Sequence, residues 1–480
     1  MMQKGMMGLC CFCAIGAVWG QTTEDPERPD GPAFTPVAEV LVREPVEPLD
    51  LFACFTDEAA WKWTADVFAE KMEPYGFRFL DARKSSATCT TPGAMLFFSK
   101  PVFETRVFFG ESGLRRLEFS VYNKGDAQER LTQGAFNALV RELKEALDKA
   151  LGFSGQIGRA AKPRPNFLVN RVSWMKRSPA FQLEWAYVEQ HRSGSKVVPY
   201  GAEYVKVLMI PLSGESAKDN AALTGEGLMV KAKNLSQLRK SVQRNAEGDV
   251  WIDGIPMVDQ GEKGYCAAAS SERLLRYYGL EVDQHQIAQL AQTQAEGGTS
   301  LSGMAQAIER IGRRFQLDKK DLIRIEDGKN FMKSDLMKQI EQYNAVAKKQ
   351  GESQIDWRMF VTPERSVDIQ TLWAEMKPEI LLQSRLRQKQ GFNAFLQDVK
   401  RYTDSGIPLL WSCLVGIYPE AAELGQQGAF GHMRMIIGYN AKTHEILYSD
   451  TWGEAHALKR MKEENAWAMT KGLVVLKPRM

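Results

Sequence analysis

A cysteine in the second half of the chain stands where a nucleophile would be activated. Cys266 follows the glycine-containing stretch "DQGEKGY" and opens an amphipathic run in which Ala267, Leu274 and Tyr278 share one helical face. An ordinary thiol is only about 3% ionised at neutral pH, so a reactive cysteine needs a group that stabilises its thiolate. The start of a helix does this through unpaired N–H groups and a partial positive charge. The sequence predicts Cys266 as a candidate nucleophile; a small buried cysteine is the alternative.

The base that activates such a cysteine must be a histidine, and the chain has five. His432 begins the period-two run "HMRMIIGY", which predicts a strand, and it follows the glycine-rich stretch "LGQQGAFG". His456 is a weak competitor. His191 lies in the other predicted domain, and His285 and His444 fit solvated, capping or turn positions better.

A third group must orient the imidazole, and Asp450 is the candidate. It ends the run "EILYSD", which predicts the strand after that of His432. Two antiparallel strands joined by a short turn bring the start of the first near the end of the second, so we expect His432 and Asp450 to meet. Taken alone, Asp450 would be read as a strand-end carboxylate that caps a turn.

The order of these residues resembles that of papain-like cysteine peptidases. Papain-like enzymes have Gln-Gly, a short gap and Gly-x-Cys, and this chain has the same pattern before Cys266. They also have a later histidine followed by Asn-Ser-Trp-Gly; here His432 is followed by "DTWG" at 450–453. Within that fold, "YCAAASSERLLRYYGLEVDQHQIAQLA" most resembles the bacterial double-glycine (bacteriocin-processing-like) peptidases, which tend to use Asp as the third residue. The resemblance covers about residues 250–478. The matching residues are Gln260, Gly261, Gly264, Cys266, His432 and Asp450.

The resemblance implies a role for each of these residues. Cys266 would be the nucleophile, His432 the general base and later acid, and Asp450 the residue that orients His432. Gln260 would donate its side-chain amide to the oxyanion, together with the backbone N–H of Cys266. Trp452 would shield the His432–Asp450 hydrogen bond; ordinary core packing is the alternative. No metal or cofactor is implied.

Two further glycines are candidates for substrate binding. Gly297 and Gly298 in "AEGGTS" would let a substrate backbone approach closely, since they lack a Cβ. A plain helix-linking loop explains them equally well.

The chain also departs from the papain pattern. Lys263 stands where papain enzymes have a second cysteine, and Asp450 replaces the asparagine of papain itself. A helical insertion at about 321–402 separates the helical and strand halves. Neither that insertion nor the N-terminal half has a recognised counterpart in the family.

Composition limits the partners. The 480 residues suggest two or three domains, the apolar share of 44% is typical of soluble globular proteins, and a net charge of +3 without a dense basic patch gives no reason to expect nucleic acid. Residues 1–20 resemble a signal peptide cleaved before Gln21, which predicts an exported bacterial protein in the periplasm, at the cell surface or secreted. An uncleaved N-terminal anchor is the alternative. Cys54 and Cys89 could then form a disulfide.

The patterns along the chain predict an α+β fold. We expect a proline-rich disordered spacer at 21–48, an α+β domain with a mainly antiparallel sheet at 49–212, a linker at 213–248, and a papain-like domain at 249–480 with helices first and strands last. The N-terminal domain carries no motif for chemistry. Capture of substrate or restraint of the site is the hypothesis for it.

The function predicted from the sequence is hydrolysis of peptide bonds in a peptide or protein substrate by an exported cysteine peptidase. Two alternatives stay open: amide hydrolysis or acyl transfer on a non-protein substrate by the same residues, and a catalytically silent binding module. The oligomeric state is not predicted.

Overall fold

The computed structural model describes residues 47–80, 84–127, 129–164, 166–193, 196–212, 232–260, 265–280, 287, 308–310, 312–313, 316–324, 335–362, 367–420 and 430–479. The expected signal peptide and almost all of the spacer lie outside these residues, as do most of the expected linker and Gly297 and Gly298. Residues from Val46 onward form one compact unit. Its fold is mixed α+β, as expected.

The N-terminal region, residues 47–212, is built on an antiparallel sheet with a long helix. Its helices are α1 (Leu51–Phe55), α2 (Ala65–Met72) and α3 (Gln133–Leu151). Its strands are β1 (Leu49–Asp50), β2 (Arg78–Phe79), β3 (Ser86–Cys89), β4 (Met95–Phe97), β5 (Lys100–Pro101), β6 (Glu104–Gly110), β7 (Gly113–Asn123), β8 (Gln156–Ile157), β9 (Ala161–Arg164), β10 (Phe167–Trp174), β11 (Ala180–Val188), β12 (His191–Ser193), β13 (Lys196–Val198) and β14 (Gly201–Ile210).

The strand order of the main N-terminal sheet is β2-β3-β6-β7-β14-β11-β10-β8, with β9 also on β10. Helix α3 begins after Thr132, whose side chain accepts from the backbone N–H of Ala135, and ends at Gly152, whose φ of +77° favours glycine. Its apolar residues recur at helical spacing and are buried: Phe136, Val140, Leu143, Leu147 and Leu151. This region therefore has a hydrophobic core of its own.

The C-terminal region, residues 232–479, contains the strands expected of the papain-like half. Its strands are β15 (Val242–Arg244), β16 (Asp249–Ile252), β17 (Leu317–Arg324), β18 (Leu409–Val415), β19 (Phe430–Asn440), β20 (Glu445–Ser449), β21 (Lys459–Lys462) and β22 (Thr470–Pro478). Its helices are α4 (Leu235–Arg239), α5 (Cys266–Tyr277), α6 (Asp335–Gln350), α7 (Ile369–Ala374), α8 (Pro378–Leu386), α9 (Lys389–Thr403) and α10 (Glu463–Met469). The strand order is β15-β16-β19-β18-β22-β17, with β20 joining β19 to β21.

Two local expectations were wrong. The helical stretch expected from about Asp321 begins at Asp335 in the described residues, and Leu317–Arg324 form β17, an edge strand that pairs with β22. Charged side chains are tolerated there because an edge strand faces solvent. The suggested disulfide is not formed: Cys54 and Cys89 are free, and the Cys89 thiol donates to the carbonyl of Tyr75. Within the described residues, no helix is both long and apolar enough to cross a membrane.

Candidate active site

Cys266 is the first residue of α5, as the sequence predicts. The helix is buried along almost its whole length, and the side chain of Cys266 itself is half-buried. One turn further on, the Ser270 hydroxyl donates to the carbonyl oxygen of Met433 at 3.0 Å. Because Met433 follows His432, this bond ties the cysteine helix to the histidine strand.

The β19–β20 hairpin explains how His432 and Asp450 meet. Met435 pairs with Ser449, so Asp450 follows directly beyond the last paired residue of β20. His432 and Arg434 are two residues apart in β19 and therefore point to the same side of the strand. Both side chains face Asp450 as a result.

His432 lies between the thiol and the carboxylate. Its Nε2 is 2.5 Å from Oδ1 of Asp450, and its ring also hydrogen-bonds the Cys266 side chain. Because Nε2 faces Asp450, Nδ1 is the nitrogen that faces the sulfur. His432 is 4% exposed and Asp450 0%, so water does not compete for this bond.

The electrostatics favour a thiolate paired with an imidazolium. Burial alone would raise the pKa of Cys266, but its hydrogen bond to His432 and the charge of that ring together hold the pKa below its ordinary value. Burial alone would lower the pKa of His432, but the charge and hydrogen bond of Asp450, with the bond to Cys266, raise that pKa to about 9. Asp450 in turn has a strongly lowered pKa despite its burial, because His432 and Arg434 stabilise its charge.

A buried arginine neutralises the second oxygen of Asp450. Nε of Arg434 lies 3.0 Å from Oδ2 of Asp450, and both side chains are 0% exposed. On its other side the guanidinium lies 3.0 Å from Glu420, which also accepts from the Tyr448 hydroxyl and pairs with Lys459. The carboxylate of Asp450 is therefore held between two cations, His432 and Arg434.

A second buried arginine, Arg273 on α5, fixes the backbone around Asp450. It donates to the carbonyl of Asp450, to the hydroxyl of Ser449 at 2.6 Å and to the carbonyl of Pro256 at 2.9 Å. One side chain thus joins the cysteine helix, the end of β20 and the segment that leads to Gln260.

Gln260 is oriented by Thr451. The backbone N–H of Gln260 donates to the carbonyl of Thr451 at 2.9 Å, and the Thr451 hydroxyl donates to Oε1 of Gln260 at 2.5 Å. Since Oε1 is the end that faces Thr451, the amide nitrogen points to the other side. Thr451 also donates its N–H to Oδ1 of Asp450 at 3.0 Å, which links this group to the histidine.

Trp452 covers the imidazole. Its ring stacks on that of His432 with centroids 4.1 Å apart and planes 8° from parallel. Phe430 and His456 lie edge-on to the same tryptophan. His456 therefore lies near the site, where its backbone carbonyl accepts from the N–H of Asp450 at 2.9 Å, whereas His444 is exposed and pairs with Glu463.

Arg434, Arg273 and Thr451 were not among the predicted site residues. Arg434 carried a signal, because it is the charged residue of an otherwise apolar buried strand, and such a charge needs a buried partner. Arg273 and Thr451 carried none, since their partners come from segments far apart in the sequence. Among the described residues, no group of His, Cys, Asp and Glu is arranged to hold a metal ion.

Two family models match the C-terminal region. Residues 254–334 match the Peptidase C39 family, and residues 328–475 match the Peptidase C39 like family. These matches support a cysteine peptidase of the C39 type in this region. Within that class they confirm the resemblance to the double-glycine peptidases.

Solved structures that are similar to the chain include a peptidase domain and a cysteine protease. One is the peptidase domain of Streptococcus ComA, a bi-functional ABC transporter involved in a quorum sensing pathway, with 11% identity, 47% of this chain and 100% of that chain covered, and a TM-score of 0.23. The other is xylellain, a cysteine protease from Xylella fastidiosa, with 9% identity, 52% and 90% covered, and a TM-score of 0.25. No curated protein matches the chain. The assignment to the class rests on the family matches.

Proposed function

We propose that this cysteine peptidase hydrolyses peptide bonds with Cys266 as nucleophile, His432 as general base and acid, and Asp450 as the residue that orients His432. The observation that carries the proposal is the double engagement of His432, which hydrogen-bonds Cys266 on one side and Asp450 at 2.5 Å on the other. That arrangement stabilises a thiolate at neutral pH. It also fixes the orientation of the His432 imidazole, which transfers the proton to the leaving amine.

The reaction proceeds in two halves. The Cys266 thiolate attacks the scissile carbonyl carbon, and the tetrahedral intermediate collapses to a thioester while the amine leaves with the proton of the His432 imidazolium. Neutral His432 then takes a proton from water, the hydroxide attacks the thioester, and the acid is released as the sulfur departs as thiolate. His432 ends the cycle protonated.

The oxyanion of each tetrahedral intermediate needs donors, and Gln260 is the proposed one, together with the N–H of Cys266 at the start of α5. The bond from Thr451 to Oε1 supports this role, because it keeps the amide from flipping. Such a preorganised donor typically contributes about 3 kcal/mol of transition-state stabilisation.

Alkylation tests the nucleophile. Iodoacetamide should modify Cys266 faster than the other thiols at pH 7, as measured by mass spectrometry of the tryptic peptide at 264–273. His432→Ala should lower that rate about tenfold or more, since it removes the cation that stabilises the thiolate. His191→Ala, a histidine of the N-terminal region outside this site, is the matched control and should leave the rate unchanged.

Hydrolysis of an internally quenched peptide library tests the reaction. The wild type should cleave members of the library, and Cys266→Ala should not. Cleavage of small amides without cleavage of any peptide would move the function to a non-protein substrate. Equal alkylation of wild type and His432→Ala, with no hydrolysis by either, would leave a binding module instead.

Export belongs to the same proposal. The support is the apolar run that follows Lys4 within residues 1–20. Protein recovered outside the cytosol should begin at Gln21, as read by N-terminal sequencing.

A further inference from the structure

The residue before the nucleophile is buried with the tip of its side chain against the N-terminal region. Tyr265 is 1% exposed, and its hydroxyl donates to Oδ1 of Asn123 at 3.2 Å, across 142 positions of sequence. The tip of its ring lies against Gly125, where a Cβ would stand 2.9 Å from Cζ and from the phenolic oxygen. Only glycine leaves room for the ring in this place.

The surroundings of Tyr265 are fixed by the N-terminal sheet. Asn123 ends β7 and pairs with Tyr204 of β14, in the middle of that sheet. Its side chain also accepts from the N–H of Gly125 at 3.1 Å and donates to Asp126 at 3.1 Å. The Tyr265 hydroxyl therefore binds the Asn123 side chain, which β7 and its turn hold in place.

Two ion pairs connect the same two regions beside the site. Arg106 of β6 pairs with Glu272 of α5 at 2.8 Å, and both side chains are almost fully buried. Arg78 of β2 pairs with Asp259 at 3.1 Å, directly before Gln260. Breaking a buried pair by removing one partner is strongly unfavourable, so the Arg106–Glu272 pair favours a single relative placement of the two regions. The Arg78 side chain is largely exposed, so its pair with Asp259 contributes less.

We propose that the N-terminal region is a positioning element of the catalytic site, in which Asn123 and Gly125 hold Tyr265 and thereby set the placement of the Cys266 sulfur. The inference rests on the proposed role of Cys266 as nucleophile. Arg78 and Arg106 hold the neighbouring segments through Asp259 and Glu272. None of these residues touches a reacting atom. Their effect comes through placement, to which catalysis is sensitive because an error of about 1 Å can cost on the order of a hundredfold in rate.

A methyl group placed at Gly125 tests the proposal from outside the C-terminal region. Gly125→Ala puts its Cβ into the space of the Tyr265 ring, so the ring and the start of α5 must shift. Gly134→Ala is the matched control, because a Cβ there meets no atom within 4 Å and alanine is well tolerated in α3. The readouts are the alkylation rate of Cys266 by iodoacetamide and kcat and KM on a peptide selected from the library.

We expect Gly125→Ala to lower both the alkylation rate and kcat at least about tenfold at little changed KM, with Gly134→Ala equal to wild type. If Gly125→Ala does not fold, Tyr265→Phe, which removes only the hydroxyl bond to Asn123, should lower kcat about threefold to tenfold. Rates equal to wild type for the folded variant would overturn the inference. Activity retained in Cys266→Ala would instead overturn the proposed function, so the two failures are separate.

Discussion

Replacing Asp450 with asparagine removes the negative charge that lies 2.5 Å from His432 while keeping a side chain of nearly the same shape. The pKa of His432 is raised to about 9 mainly by that charge and its hydrogen bond, against the effect of burial. Loss of the charge should return the pKa toward the ordinary value of about 6.5, a change of about 3 kcal/mol in the stability of the imidazolium.

The direction of the pH effect follows from the raised pKa. The imidazolium is present below the pKa and lost above it, so wild type keeps it up to about pH 9 and Asp450→Asn only to about pH 6.5. At pH 7.5 the protonated share of His432 falls from about 97% to about 9%, roughly tenfold. The Cys266 thiolate depends on that cation and should fall with it.

The assay is the alkylation rate of Cys266 by iodoacetamide between pH 5 and pH 10. The two proteins should react alike below about pH 6, where both hold the imidazolium, and differ about tenfold near pH 7.5. Asp249→Asn is the matched control, since Asp249 is also a buried carboxylate paired with an arginine, Arg460, at 3.1 Å. A profile for Asp450→Asn that superimposes on wild type, or one reduced equally at every pH, would refute the assignment of Asp450.

Two other substitutions separate the remaining parts of the site. Thr451→Val removes the hydroxyl that orients Gln260, so kcat should fall about tenfold while the alkylation rate of Cys266 stays the same. A fall in both rates would show that the substitution acts on the nucleophile. Arg273→Lys cannot reproduce the three donors of the guanidinium, so urea unfolding should show a loss of about 2–4 kcal/mol; an unchanged midpoint would show that the carbonyls of Pro256 and Asp450 find other donors.

The sequence allowed the papain-like half to be predicted because its signals are local. The period-two run at β19 and the apolar runs at β18, β20 and β22 gave the strands to within a few residues, and the short turn after Asn440 gave the hairpin. That hairpin brings His432 and Asp450 together as expected. The helix at Cys266 also followed from apolar spacing, and it ends at Tyr277, two residues before Gly279, whose φ is +84°.

The rest depends on contacts between segments far apart in the sequence. Strand β17 was missed because its charged residues match no strand pattern until the pairing with β22 is known. The contact between Tyr265 and Asn123 joins the C-terminal and N-terminal regions, and neither residue has an unusual sequence context. Periodicity reports which side of an element is buried, but not which partner covers it.

The row of alternating charges behind the site, Glu420, Arg434, Asp450 and His432, limits how this family of sequences can diverge. Arg434 is tolerated at 0% exposure because carboxylates lie on both sides of it. A neutral residue at position 450 would leave Glu420 as the remaining carboxylate beside that arginine, so an exchange at position 450 favours an exchange at position 434 in the same lineage. Homologues that carry asparagine at position 450 should therefore lack an arginine two residues after the histidine, and the two positions should covary.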